Sequence, residues 1–387
     1  MHPTVLELER RLLALPDVLA RVAKAPLPQG NPLGGGSVLL TGVGMSECVA
    51  RFAEVVLRHD AGLRVSCLPL SAFVSEDVQR QGDTLVVLSQ GLSPNARLAL
   101  SRASEFSRAV LVTARPRSDA HLTDFVRGGG VVWSLPLDEE SGFLTRVQGP
   151  LATALGVLRL GFQGREPSEV EALPAKVADA VQVGFALARD WPLDVRRAPL
   201  LATGSFSRCL DLLAWTWMET WWVEPPPTWD VLQTAHGPWQ QLSSRSETLL
   251  ALRRPDDVPE LWPRLQKMLT ERHRLVDLPA TLPAPWAWFE HAAMVMGLLV
   301  GVLKRAPVDL AAWPGRDGDR PLYELGAVTA TPFPDSLCHR CAHLRRVEGA
   351  RSSFLQCGEG RPPKYPAQPV RACPYFEAAQ PGRPPTA

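Results

Sequence analysis

Four cysteines fall within the last fifty residues of this 387-residue chain: Cys338, Cys341, Cys357 and Cys373, in a C-x2-C-x15-C-x15-C spacing. A C-x2-C pair sets two thiolates on one side of a turn, and two later cysteines can close a tetrahedral set around a soft cation. The spacing predicts a metal site rather than a disulfide framework. Zn2+ is the default ion, and an iron–sulfur cluster is the alternative because Pro374 directly follows the last cysteine, as in ferredoxin-like runs. The segment is rich in arginine, proline and glycine, so metal would supply cross-links that an apolar core does not. Cys48, Cys67 and Cys209 are scattered singly and read as small buried hydrophobes.

A second chemistry is suggested by two glycine-and-hydroxyl turns. Thr41-Gly42-Val43-Gly44-Met45-Ser46-Glu47 offers glycines that let a bound anion approach the backbone, with Ser46 opening the next helix. Glu47-Cys48 stands where the dinucleotide fingerprint needs its third glycine, so no organic cofactor is expected. In Leu88-Ser89-Gln90-Gly91-Leu92-Ser93-Pro94-Asn95, Ser93 is placed as an N-cap with Pro94 at the first helical position. Hydroxyls, an amide and free helix N–H groups around one short turn suit a phosphate monoester.

The elements that must carry these turns alternate. Residues 4–26 have helical spacing, followed by a proline- and glycine-rich loop to Gly36. Strands are expected at 37–41, 63–68, 84–88, 109–113 and 130–133, with helices at 46–58, 93–105, 119–126 and 143–160. A long helix at 167–189 follows. The pattern then restarts with strands at 199–203, 248–252 and 274–278 and helices at 205–222, 258–270 and 284–304. Strands alternating with helices at this pace mean parallel sheets, whose ligands sit beyond the carboxyl ends of the strands. Periodicity stops at Pro332.

The balance of 41 basic and 40 acidic residues argues against nucleic acid or an anionic membrane as partner. The longest apolar window, Ala292–Leu303, suits a buried helix, and the acidic N-terminus is unlike a signal peptide. A cytoplasmic location is expected, where thiols stay reduced.

Three stretches resemble the sugar isomerase (SIS) domain family, as in the isomerase half of glucosamine-6-phosphate synthase and other phosphosugar aldose–ketose isomerases. Gly42-Val43-Gly44-Met45-Ser46 is similar to the family's first G-x-G-x-S turn. Ser89-Gln90-Gly91-Leu92-Ser93-Pro94-Asn95 is similar to its serine-rich phosphate loop, one residue shorter and with Gly91-Leu92 where a Ser-Gly pair is usual. Glu140-Ser141-Gly142-Phe143-Leu144-Thr145-Arg146 resembles the segment closing the first copy, with arginine for the usual lysine. The resemblance spans residues 37–325. It implies two tandem doubly wound, flavodoxin-like domains: 37–165 binding a sugar phosphate and 166–330 carrying catalytic groups. Residues 1–36 precede them as helix and linker. A small irregular metal-binding module at 331–378 and a disordered tail at 379–387 follow.

By the same resemblance Ser46, Ser89, Gln90 and Ser93 contact the phosphate, and Gly44, Asn95, Glu140 and Thr145 line the substrate pocket. Glu219 stands at the place of the proton-transferring glutamate. His236, in an H-G-P turn, stands at that of the ring-opening histidine, which the family contributes across a dimer; a homodimer or higher homo-oligomer is implied. Glu219 also lies among Trp215, Trp217, Met218, Trp221 and Trp222, a setting that desolvates a carboxylate and raises its pKa. Gln233 replaces a glutamate that normally precedes H-G-P. The family's C-terminal lysine has no matching residue, Lys304 being the nearest. The resemblance implies an aldose–ketose isomerase or a related aminosugar-phosphate enzyme, or else a non-catalytic phosphosugar sensor acting through the cysteine module.

Overall fold

The computed structural model describes residues 1–75, 78, 82–138, 140–163, 165, 167–325, 333, 336–349, 352–359, 366 and 368–378. They form two compact units, Met1–Asp319 and Arg320–Ala387. The tail at 379–387 lies outside the described residues.

The first unit opens with two helices, α1 (Pro3–Leu13) and α2 (Leu15–Lys24), where the periodicity predicted one. The first sheet follows: β1 (Ser37–Gly42), α3 (Met45–His59), β2 (Arg64–Cys67), α4 (Ala72–Ser75), β3 (Thr84–Leu88), α5 (Ala96–Ser101), β4 (Arg108–Thr113), α6 (Thr123–Arg127), β5 (Val131–Ser134) and α7 (Gly149–Phe162). Its strands are all parallel in the order β2-β1-β3-β4-β5, the doubly wound flavodoxin-like order. The long α8 (Glu169–Arg189) leads to a second sheet: β6 (Leu200–Ala202), α9 (Asp211–Trp221), β7 (Thr228–Asp230), α10 (Pro238–Leu242), β8 (Glu247–Arg253), α11 (Leu261–Met268), β9 (His273–Pro279) and α12 (Ala287–Arg305). This sheet is parallel in the order β7-β6-β8-β9. The three-residue β7 was not foreseen; it follows Pro225-Pro226-Pro227, which reads as loop.

Alternation explains the layering, because successive strand residues face opposite sides. In β1, Val38 and Leu40 join one core cluster and Leu39 a second; in β8, Leu250 and Leu252 join the first and Leu249 and Ala251 a third. The first cluster is common to both sheets and contains residues of α1, α2, α3, α7, α8, α9 and α12. The two sheets thus share one core within a single unit, where the sequence suggested separate domains.

At the centre α8 and α12 pack through glycines. A Cβ at Gly184 would lie 2.2 Å from the Met294 carbonyl oxygen, and one at Gly297 would lie 2.6 Å from the Val181 carbonyl oxygen. Ala287–Arg305 is also the described helix long and apolar enough to cross a membrane, and it is almost wholly buried within the protein. Phe52 of α3 stacks on Trp288 of α12 with centroids 4.0 Å apart, joining the two halves.

The second unit contains α13 (Arg320–Tyr323) and an antiparallel hairpin, β10 (Leu344–Gly349) with β11 (Ser352–Cys357).

Candidate functional site

The ends of β1 and β3 lie at the switch point of the first sheet, where strand order reverses and a crevice must open. The turn after β1 is built by glycine: a Cβ at Gly42 would sit 2.7 Å from the Ser46 carbonyl carbon, and Gly44 takes φ 60° as the residue before α3. Ser46 is half-buried in the first turn of α3.

After β3, Ser89 is buried and its Oγ accepts a hydrogen bond from the Ser93 N–H at 3.2 Å. Leu92 turns the chain at φ 54°, a left-handed conformation costly for a residue with a Cβ, and buries its side chain in the second core cluster. The sequence expectation for Ser93 needs correction. α5 begins at Ala96 with Asn95 before it, and Ser93 belongs to a preceding turn closed by the Ala96 N–H to Ser93 carbonyl bond. Its hydroxyl therefore caps nothing, and the Oγ is buried without a hydrogen-bond partner.

Gln90 reaches across to the start of α7. A Cβ at Gly149 would fall 2.0 Å from Gln90 Oε1, so glycine is what admits the amide there. Gln90 Nε2 lies 3.5 Å from Glu140 Oε2. Glu140, expected to line the substrate pocket, is buried and accepts from the N–H groups of Val147 (3.1 Å), Gln148 (3.1 Å) and Gly149 (2.7 Å). Its carboxylate caps α7, which is why that helix starts at Gly149 instead of the expected Phe143. Thr145, in the same segment, is buried with its Oγ1 unpartnered.

Glu219 enters from α9. Burial pushes its carboxyl up to about 8, with the Arg146 guanidinium pulling the other way, and its Oε2 has no hydrogen-bond partner. Burial, with smaller contributions from Asp211, Glu47 and Glu219, raises the pKa of the Cys48 thiol on α3. Arg51 ties α3 to α9 through Asp211 at 3.0 Å and to Glu47 at 2.6 Å. Gln90 thus joins the β3 loop to the α7 entry, and Arg51 joins α3 to α9, the helix that carries Glu219. His236 is exposed on the turn after the short 3-10 helix Gln233–Ala235, and no described hydrogen bond or ion pair joins it to Glu219. Lys304 pairs with Glu9 of α1 at 2.6 Å.

At the corresponding strand ends of the second sheet, beyond β6 and β8, a hydrogen-bonded knot joins residues far apart in sequence, which the sequence pattern does not reveal. Asp257, beyond β8, accepts from Thr203 Oγ1, from Arg254 N–H and Nη2 at 2.9 Å each, and from Trp262 Nε1 at 2.8 Å. Burial raises its pKa, but these hydrogen bonds outweigh that and hold it below the usual carboxylate value.

In the second unit all four cysteines line one cavity of about 520 Å³ together with His343. Among the described residues no three histidine, cysteine or carboxylate side chains converge closely enough to hold an ion as placed.

No protein-family model and no curated protein sequence matches the chain. Solved structures do. The C-terminal domain of glucosamine-fructose-6-phosphate aminotransferase from Francisella tularensis superposes with TM-score 0.62 at 13% identity, covering 77% of this chain and 95% of that one. Glucosamine-6-phosphate deaminase from Thermotoga maritima gives 0.60 at 13% identity, covering 79% and 96%. Tagatose-6-phosphate ketose/aldose isomerase from Escherichia coli gives 0.59 at 12% identity, covering 79% and 94%. The chain shares their double α/β fold, the architecture that the sequence resemblance implied.

Proposed function

We propose that the first unit binds a sugar phosphate at the β1/β3 crevice and acts on it as an aldose–ketose isomerase. The observation that carries this reading is Glu219, a carboxyl with an unpartnered oxygen whose burial pushes its pKa up to about 8 against the pull of Arg146. The unpartnered hydroxyls of Ser93 and Thr145 support the crevice as a place where a polar ligand completes the hydrogen bonding. The sugar-phosphate names of the fold's neighbours support the substrate class.

In this reading Ser46, Ser89, Gln90 and Ser93 receive the phosphate. His236, from a second copy of the chain, transfers the proton that opens the sugar ring. Glu219 as carboxylate then takes the proton from the carbon beside the carbonyl, giving an enediolate; the hydroxyl proton passes to the former carbonyl oxygen, and Glu219 returns its proton to the neighbouring carbon. Glu140 does not join this chemistry, since its oxygens are engaged by α7.

A second reading, a sensor that binds the sugar phosphate without turnover, is favoured by the shortened loop after β3, where Gly91-Leu92 stands in place of the resembled family's Ser-Gly pair. A thermal-shift screen against hexose and hexosamine 6-phosphates, followed by a turnover assay on each binder, separates the two. Stabilisation with interconversion supports the enzyme, stabilisation alone supports the sensor, and no stabilisation by any of them sinks both.

A further inference from the structure

We infer that Cys338, Cys341, Cys357 and Cys373 form a four-thiolate metal centre, filled by a single Zn2+ or an iron–sulfur cluster, that holds the second unit together. The inference is independent of the sugar-phosphate reading.

The backbone brings the four positions together from three places in the sequence. Cys338 and Cys341 bracket a tight turn closed by the Cys341 N–H to Cys338 carbonyl bond at 3.0 Å. Cys357 ends β11 directly opposite Leu344, three residues beyond Cys341. Cys373 arrives on a segment pinned to the first turn twice: Ala342 N–H donates to the Glu377 carbonyl at 2.8 Å, and Leu337 N–H donates to the Val370 carbonyl at 2.7 Å. All four cysteines consequently line one cavity.

The nearby histidines are committed elsewhere. His343 lies 2.9 Å from Glu359 through Nδ1 and 2.9 Å from Glu377 through Nε2, and so fastens the loops beyond Cys357 and Cys373 to the C-x2-C turn. His339 Nε2 is 3.1 Å from the Phe333 carbonyl. The ligand set is therefore four sulfurs. Gln368 Nε2 already donates towards Cys338 Sγ at 3.8 Å, the kind of N–H···S support that steadies a metal thiolate.

Energetics favour something of this kind. Among side chains described in the second unit, Leu355 is the one apolar residue that is fully buried. A unit this small whose described residues bury so little apolar surface is one that metal or covalent cross-links would stabilise. The thiols are not converged as placed, so binding draws them in, each losing its proton to solvent as its metal–sulfur bond forms.

The test uses the full chain purified without oxygen, with elemental analysis, acid-labile sulfide and visible absorption. Zinc at about one ion per chain with no colour, or iron with sulfide and a visible band, each supports the centre and identifies its filling. Cys338→Ser and Cys357→Ser should each lose most of the bound metal, and titrating wild-type thiols with a mercurial should release it in proportion. Wild-type protein free of zinc and iron, or with these cysteines paired as disulfides, overturns the inference whatever the variants do. So does metal that the Cys338→Ser/Cys357→Ser double variant retains in full.

Discussion

At the scale of the residue, Glu219 makes opposite demands on stability and chemistry. The folded protein keeps its carboxyl protonated up to about pH 8, whereas the unfolded chain ionises it near 4.5. The fold therefore holds the extra proton between those values, and stability falls as pH rises through that window. Glu219→Gln should remove this slope, leaving stability near pH 4 unchanged and gaining on the order of a few kcal/mol at pH 8, read by denaturant titration. In an active enzyme the same change should lower turnover by about 100-fold or more, and wild-type kcat/KM should climb with pH as the carboxyl ionises near 8. Ser89→Ala or Ser93→Ala should weaken sugar-phosphate binding by about tenfold or more, measured calorimetrically, as expected for a hydrogen bond to a charged group. The desolvated setting of Glu219 was legible in its flanking tryptophans. Arg146 was not, because it approaches from a distant segment, and neither was the loss of Ser93 as a cap, which depends on Leu92 adopting a left-handed turn.

At the scale of the element, two contacts fix helices that the site depends on. Glu140 satisfies three amides at the start of α7. Glu140→Ala should destabilise the protein by about 1–3 kcal/mol in chemical denaturation, with earlier hydrogen exchange over Val147–Leu151. Gly184 admits the carbonyl of Met294 at a distance no side chain could share. Gly184→Val should cost at least about 2 kcal/mol or prevent folding, measured by melting temperature and yield. The strand positions were readable from β-branched runs, and β3 coincides with its expected span at 84–88. Helix starts were less readable, since a run of good helix formers does not reveal that a remote carboxylate claims its first amides.

At the scale of the whole molecule, the common core decides how the first unit behaves. With Phe52 stacked on Trp288 between the halves, Trp288→Ala should cost about 3–5 kcal/mol and lower both halves in one transition, seen as coincident loss of circular dichroism and tryptophan fluorescence. The sequence announced two similar halves but not their fusion, because which apolar faces meet is settled only when the helices between the sheets are placed. The Thr203–Arg254–Asp257–Trp262 knot adds an asymmetry to this internal duplication. The polar groups at the ends of β6 and β8 are already spent on one another, so titration to saturation should count a single equivalent of sugar phosphate per polypeptide, half of what the doubled architecture would offer.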